Sequence, residues 1–451
     1  MMINPEGLLA QLQDALEHDD FDSAIKMIEE LRGPDQAVLF SELEDDEQAE
    51  LLPKLDRAIS ADILEELDDP DAAKLAASLP IEMISRIVEE MEPDEAADLL
   101  GDLSPDQVRD LLERIADEEE DEIRPLLLHA DESAGGLMTN EFLALRPLMR
   151  AQDAIEALRS WSPDSDEIYY LFVVDEHKKL CGVVNLRSLI LAAPTTLIEK
   201  IMDHDVISVK VGVDQEECAR IMAHYDLAAI PVVDENGLIM GVITHDDIVD
   251  VLEEEATEDI YRLSNVSDND LDPDSSVWEQ IKGRLPWLYL NTITALFGAW
   301  VIGIYEDVIA QAAVLALFQS VVAGQGGNTA SQNVAMAVRT LALGHITTRS
   351  QRRIILRQLL MGFLLGLAVG SVVGLGVYLW RGNAYLSLVL GLALVANLAL
   401  GSLVGVLVPL GLERIGVDPA LASSVLVTAA TDSMGFFIFL SLAAHFLSHI
   451  R

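Results

Sequence analysis

The sequence predicts a multi-domain protein: an all-α superhelical N-terminal domain, a tandem α/β module, a connecting helix, and a five-helix α transmembrane domain. Three observations predict it. Acidic residues crowd the chain before Pro286, a hydrophobic position recurs every twelve residues over 31–115, and long apolar runs dominate from Pro286 onward. The expected boundaries are 1–130 for the helical domain, 131–195 and 196–252 for two α/β units, 246–275 for the connecting helix and linker, and 276–451 for the membrane domain.

The 451 residues carry a net charge of −47, unevenly placed. Of 76 acidic residues, 71 precede Pro286, together with 21 Lys and Arg, a net −50; the remainder is net +3. Phosphate recognition needs a basic surface, so nucleic acid is not expected as a partner. Cys181 and Cys218 lie in the acidic part without metal-type spacing and are expected to be reduced thiols in the cytosol. The start, "MMINPEGLLAQLQDALEHDD", lacks a positive n-region and an apolar h-region, so it is not expected to be a signal peptide.

Leu31, Leu43, Leu55, Leu67, Leu79, Met91, Leu103 and Ile115 are each twelve residues apart. Several units open on an N-cap and Pro, as in "MEPDEAADLLGDL" and "LSPDQVRDLLERI". Acids in the first turn suit the helix dipole. Twelve residues hold about two helical turns plus a connection, so stacked short helices follow. The repeated prolines argue against one long amphipathic helix.

A second repeat follows: "LFVVDEHKKLCGVVNLRSLI" (171–190) matches "AIPVVDENGLIMGVITHDDIV" (229–249), and "GLMTNEFLALRP" (136–147) resembles "KIMDHDVISVKV" (200–211). Each unit reads as short strand, helix, strand, hairpin strand, helix, with Asn-Gly marking the second hairpin turn. These units resemble CBS domains, which work in pairs and commonly bind adenosine nucleotides. That resemblance implies a nucleotide contact at Thr244 and Asp246 in "GVITHDD"; the first unit has Asn185 and Ser188 instead. "DDIVDVLEEEATEDIYRLSNV" (246–266) is an acidic helix leading through a linker (267–276) to the membrane. It is placed to transmit motion, or to serve as a passive connection.

Five apolar runs, 286–304, 308–338, 358–380, 384–410 and 419–446, approach or exceed the roughly 20 residues a span needs. Lys282, Arg284, Arg349, Arg352, Arg353, Arg357 and Arg414 favour the side that holds the N-terminal part. By the positive-inside rule that side is the cytosol, and five spans put the C-terminus outside an inner or plasma membrane.

Two features in these runs carry chemistry. "VVAGQGGNTASQNVAMAVRTLALG" (321–344) breaks an apolar run with Gln325, Asn328, Ser331, Gln332 and Asn333. Polar backbone at membrane depth lines a wet cavity or is buried in protein, whereas Gly324, Gly326 and Gly327 also suit close helix packing. The second feature is Asp432, mid-run in the last span, with Thr428 one turn away on the same face. Asp418 lies at the expected cytosolic mouth of that helix. Oxygen donors select hard cations, and Mg²⁺, which keeps several waters, suits one or two carboxylates in a wet pore. One Asp per chain is thin for a divalent ion, so a twofold homodimer supplying two is expected. Three other roles compete: a protonated carboxyl bonding a neighbouring helix, a proton relay, and an ion pair with Arg.

Over essentially its whole length the chain is similar to the MgtE family of magnesium channels, most specifically through "GGNTASQNVAMAVRTLALG" and "GVDPALASSVLVTAATDSMGFFIF". The resemblance implies a homodimeric, Mg²⁺-selective channel with an N domain, two CBS domains, a connecting "plug" helix and five spans. Asp432 would hold the ion, aided by Thr428, with Asp418 and Asn328 nearer the cytosolic entrance. Mg²⁺-sensing acids would be Asp94 and Asp98 in the N domain; Asp214, Glu216, Asp226, Asp247 and Asp250 in the second CBS unit; and Glu255, Glu258 and Asp259 on the plug helix. Family members often read "GGNTGNQ", so Ser331 stands where Asn is usual.

A region at −50 repels itself, and divalent ions bridging it would favour a closed arrangement. Uptake with feedback closure is the expected function. A Na⁺- or H⁺-coupled transporter and a membrane-anchored nucleotide sensor are its rivals. No P-loop, nucleophile elbow or HExxH motif points to an enzyme.

Overall fold

The computed structural model describes residues 5–161, 170–264, 266, 277–342 and 348–450. It divides into two compact units, Met1–Leu252 and Glu253–Arg451. The expected 267–276 linker lies outside the described residues.

The first unit opens with short helices: α1 (Pro5–Glu17), α2 (Phe21–Glu29), α3 (Gly33–Ser41), α4 (Asp45–Leu51), α5 (Arg57–Glu65), α6 (Asp69–Ser78), α7 (Ile81–Val88), α8 (Pro93–Gly101), α9 (Pro105–Leu112) and α10 (Asp117–Leu126). The twelve-residue repeat marks where helices stop. Leu43, Leu67, Met91, Leu103 and Ile115 each follow a helix by two or three residues and are buried. The backbone N–H of Leu43, Met91 and Leu103 donates three residues back, to Phe40, Val88 and Leu100. Each stop thus buries an apolar side chain and satisfies a terminal carbonyl. From α3 onward each helix packs on its second neighbour, α3 on α5, α4 on α6, and so on to α8 on α10. Two rows of helices result, the stacked superhelix that the repeat predicts.

Two similar three-stranded sheets follow. In the first, β1 (Ala144–Leu145) runs parallel to β2 (Tyr170–Val174), which pairs antiparallel with β3 (Leu180–Asn185); α11 (Ala151–Ser160) and α12 (Leu186–Leu191) complete it. In the second, β4 (Val209–Lys210), β5 (Ala229–Val233) and β6 (Ile239–Thr244) repeat that order, with α13 (Gln215–Tyr225) and α14 (His245–Leu263). The hairpin turns are alike. Asp234 Oδ1 accepts from the Asn236 and Leu238 N–H at 2.7 and 2.8 Å, and Asp175 Oδ1 from His177 and Lys179 at 2.7 and 3.0 Å.

The repeated segments before each sheet do not stay with their own unit. Thr139 pairs with Val242, and Asp203 with Val183, so each leads into one sheet while edging the other. The paired glycines follow from this approach. A β-carbon on Gly241 would sit 2.6 Å from the Thr139 carbonyl oxygen, and one on Gly182 2.8 Å from Met202 Sδ. One hydrophobic core joins α1–α10 to the second sheet, and the first sheet has its own. Cys181 and Cys218 are free, and burial pushes the Cys218 thiol up to about 12.

The second unit holds α15 (Val277–Gly303), α16 (Glu306–Gln311), α17 (Ala316–Ala342), α18 (Thr348–Arg381), α19 (Ala384–Arg414), α20 (Pro419–His445) and α21 (Leu447–Ile450). Among the described residues, four stretches are long and apolar enough to cross a membrane: Gln280–Gly303, Gln351–Arg381, Ala384–Arg414 and Val425–His445. The expected second run is α17, 27 residues of mixed polarity. It is one continuous helix through Gly324, Gly326 and Gly327, so the glycines do not break it. α19 is the centre, touching α17, α18 and α20, while α15 packs on α20. Small residues bring α18 onto α19: β-carbons on Gly366 and Gly370 would lie 2.7 Å from Val395 Cα and the Gly391 oxygen.

Candidate cation site and acidic clusters

In the second unit, Asp432 is half-buried on α20 and Thr428, one turn before it, is exposed. On α17, a β-carbon at Gly327 would stand 4.0 Å from both Asp432 Oδ1 and Thr431 Oγ1. Asn328, adjoining Gly327, is exposed, as are Gln325, Ser331 and Gln332. The polar cluster read from the sequence therefore divides. Asn333 is buried and donates to the Ser402 carbonyl at 3.4 Å, while the others form one open polar face of α17. Thr431 donates back along its own helix to Val427 at 2.9 Å.

Asp418 is not beside Asp432. It lies fourteen residues earlier, about 21 Å along the helix. It caps α20, Oδ1 accepting from the Ala420 N–H at 2.8 Å. Its other oxygen pairs with Arg262 of α14, which also pairs with Glu258. Burial, then Asp418 and Glu255, raise the Asp259 carboxyl to about 6. Leu263 packs against the cluster of Ala330, Val334, Val338, Ala420 and Val427. The end of α14 is thus joined to the mouth of α20 by an ion pair and an apolar contact. The sequence marks the acids here but gives no sign that Arg262 lies among them.

The first unit gathers a second group. Pro93 opens α8 and points its first turn inward, so Asp94 is buried, and Glu92, Glu95 and Asp98 are partly buried. Asp94 is held far above the ordinary carboxylate range by burial, with Asp247 and Glu92 adding repulsion. Glu95 rises to about 10 through burial and the charges of Asp94, Asp98 and Asp247. Asp98 rises to about 8 through burial and Asp69, Asp131 and Asp247. Glu92 rises to about 7 through burial, Glu65 and Asp247, and Asp247 to about 6 through burial and Asp246. Asp94, Asp98 and Asp247 are therefore brought together. Glu92 and Glu95 belong with them although neither stands out in the sequence; their signal is a place at the N-cap and in the first turn of the same helix. Among the described residues, no group of three His, Cys, Asp or Glu is arranged to hold a metal ion.

Of the remaining acids, Asp250 adds repulsion at Asp247, while Asp214, Glu216 and Asp226 belong to α13 and its caps. Asp214 caps α13, accepting from the Glu216 N–H at 3.0 Å. Asp226 ends that helix in the left-handed conformation, φ 52°. Asp250 lies near Glu66, whose carboxyl is raised by burial and by that charge. Thr244 Oγ1 lies 2.8 Å from Asp247 Oδ2 and also bonds Asp246. At the matching place in the first sheet, Asn185 caps α12, accepting from the Ser188 N–H at 2.7 Å. Asn397, an amide mid-way along α19, is fully buried. Its signal is one polar residue inside "LVANLAL".

Four long apolar stretches, the last carrying a half-buried carboxylate, joined in sequence to an acidic α/β module, fit a multi-pass membrane protein. Residues 319–442 match the MgtE divalent cation transporter family, 31–132 the MgtE intracellular N domain, and 134–194 and 198–254 the CBS domain. Magnesium transporter MgtE of Thermus thermophilus is 40% identical over 326 residues, covering 71% of this chain and 72% of that protein. Its namesake of Enterococcus faecalis is 34% identical, covering 74% and 73%. The crystal structure of the cytosolic domain of the Mg²⁺ channel MgtE in complex with ATP matches with a TM-score of 0.51 at 36% identity, covering 54% of this chain and 99% of that one. The soluble part of a magnesium transporter matches with a TM-score of 0.51 at 32% identity, covering 56% and 100%. The chain belongs to the MgtE family, whose members are magnesium transporters and not enzymes.

Proposed function

We propose that this protein is a Mg²⁺-selective channel for magnesium uptake that closes when cytosolic Mg²⁺ binds its acidic N and CBS domains. The observation that carries the reading is Asp432, half-buried at mid-helix beside the open polar face of α17. A lone carboxylate at such depth is costly and marks an ion path. α17, at 27 residues, is long enough to serve as the fifth span. A homodimer would set two Asp432 side chains across a shared path, and a hydrated Mg²⁺ would meet both through its waters. Thr428 and Asn328 would line that path, and Asp418 its cytosolic mouth. The acids of the first unit and the connecting helix, Asp94, Asp98, Asp214, Glu216, Asp226, Asp247, Asp250, Glu255, Glu258 and Asp259, would take regulatory Mg²⁺. The N-terminal domains would be cytosolic, and the multi-pass part would lie in the inner or plasma membrane with the C-terminus outside.

The test is Mg²⁺ flux into proteoliposomes without Na⁺ or proton gradients. Wild type should conduct and Asp432→Asn should lose roughly thirtyfold or more, since an unpaired ion-binding charge costs about 2 kcal/mol or above. Flux that requires an opposing gradient would favour a coupled transporter. Flux unchanged in Asp432→Asn would favour a membrane-anchored nucleotide sensor. ATP binding at Thr244 and Asp246 is a second reading, supported by a relative crystallised with ATP; Asp246→Ala should abolish it in a titration on the intact protein.

A further inference from the structure

We infer that Asn397 is a positioning residue for the cation path: its side chain sets the spacing between α17 and α20 at the level of Asp432. This rests on the reading of Asp432 as the permeation site. Asn397 lies mid-way along α19, with 0% of its surface exposed. Its Nδ2 donates to the Val322 carbonyl of α17 at 2.7 Å. Its Oδ1 is buried without a partner among the described residues. Two glycines on different helices close on the amide. A β-carbon on Gly326 of α17 would stand 2.2 Å from Nδ2, and one on Gly435 of α20 2.8 Å from it. The amide is therefore wedged between both helices and tied to the backbone of one.

The place of the wedge gives it meaning. Gly326 adjoins Gly327, the residue against which Asp432 lies, and Gly435 is one helical turn beyond Asp432. Whatever fixes Gly326 against Gly435 fixes how far the Asp432 carboxylate stands from the polar face of α17. An apolar residue would meet the packing need alone. An amide with an unmet acceptor is a poor choice for stability but a good one for locking register, because its hydrogen bond is directional. Side chains that hold an ion need their positions kept to within about 0.5 Å, and larger errors appear as lost affinity and lost selectivity.

The experiment measures, per molecule of monodisperse protein in proteoliposomes, the half-saturating Mg²⁺ concentration and the Mg²⁺ over Ca²⁺ preference. Asn397→Ala should raise the first roughly tenfold or more and lower the second. Gly435→Ala should do likewise by driving a methyl group into the amide, and should do less damage in the Asn397→Ala background. Should Asn397→Ala fail to fold, Gly435→Ala carries the test. Folded variants with unchanged half-saturation and preference, beside an inactive Asp432→Ala, would overturn this inference alone. An Asp432→Ala protein that still conducts would overturn the underlying reading.

Discussion

Glu92 at the N-cap, Asp94 and Glu95 in the first turn and Asp98 one turn on all belong to the short helix α8, and Asp247 of the second CBS unit adds repulsion to them. Each is shifted upward, first by burial and then by its neighbours. The sign of the consequence follows. A carboxyl whose folded pKa lies above its unfolded value near 4 favours the folded state while protonated. That contribution is full below about pH 4 and is lost as pH climbs through the folded values, about 6 for Asp247, 7 for Glu92 and 8 for Asp98. In chelator, α8 of the intact protein should become less protected from hydrogen exchange between pH 5.5 and 8.5, after correction for intrinsic exchange rates. Mg²⁺ needs the ionised carboxylates and displaces their protons, so it should restore protection more strongly at pH 8 than at pH 6. Protection independent of both pH and Mg²⁺ would show that these groups hold no linked charge.

The connecting helix raises a question of elements. α14 begins at the end of the second sheet and finishes with Arg262 between Glu258 and Asp418, at 11% and 30% side-chain exposure. One fixed cation therefore already balances part of the acid at the mouth of α20. Arg262→Gln removes it and leaves Glu258, Asp259 and Asp418 to repel. The closed arrangement should then need more Mg²⁺. The loss of two partly exposed, charge-assisted contacts, about 0.5–1.5 kcal/mol, corresponds to a roughly two- to tenfold rise in the Mg²⁺ concentration that halves flux. An unchanged inhibition curve would make the ion pair a passive contact.

Elements differ in how far they can be read from sequence. The stops of α3 to α9 were legible, because a buried Leu or Met every twelve residues and a Pro at the next start are local signals. The paired sheets were legible from their hairpins and glycines. The exchange of the 136–141 and 200–205 segments was not, since pairing Thr139 with Val242 leaves no local trace. Asp432 stood out as a charge in an apolar run. Asn397 did not, because one amide in a span is inexpensive beside a carboxylate and only the two facing glycines reveal its place. Arg262 looked like part of an acidic helix until Asp418, 156 residues away, was found against it.

At the scale of the whole molecule the imbalance of charge decides behaviour. The chain before Pro286 holds 71 acids against 21 bases, and the rest is net +3. At about 0.15 M salt the screening length is roughly 8 Å. Monovalent ions therefore weaken long-range repulsion without joining neighbouring carboxylates such as Asp94 and Asp247, the second of which repels the first. A divalent ion would do both, and several such sites acting on one two-state arrangement would make its response steep. Limited proteolysis of the intact protein separates the two effects. Adding Mg²⁺ in the millimolar range should protect the acidic region along a curve steeper than single-site binding, and KCl at matched ionic strength should protect far less. Combined replacement of Asp94, Asp98 and Asp247 by Asn should flatten that curve while leaving flux at low Mg²⁺ intact, because these residues lie outside the Glu253–Arg451 unit that holds Asp432. Equal protection by KCl would reduce the acids to a screened surface and remove the basis for feedback closure.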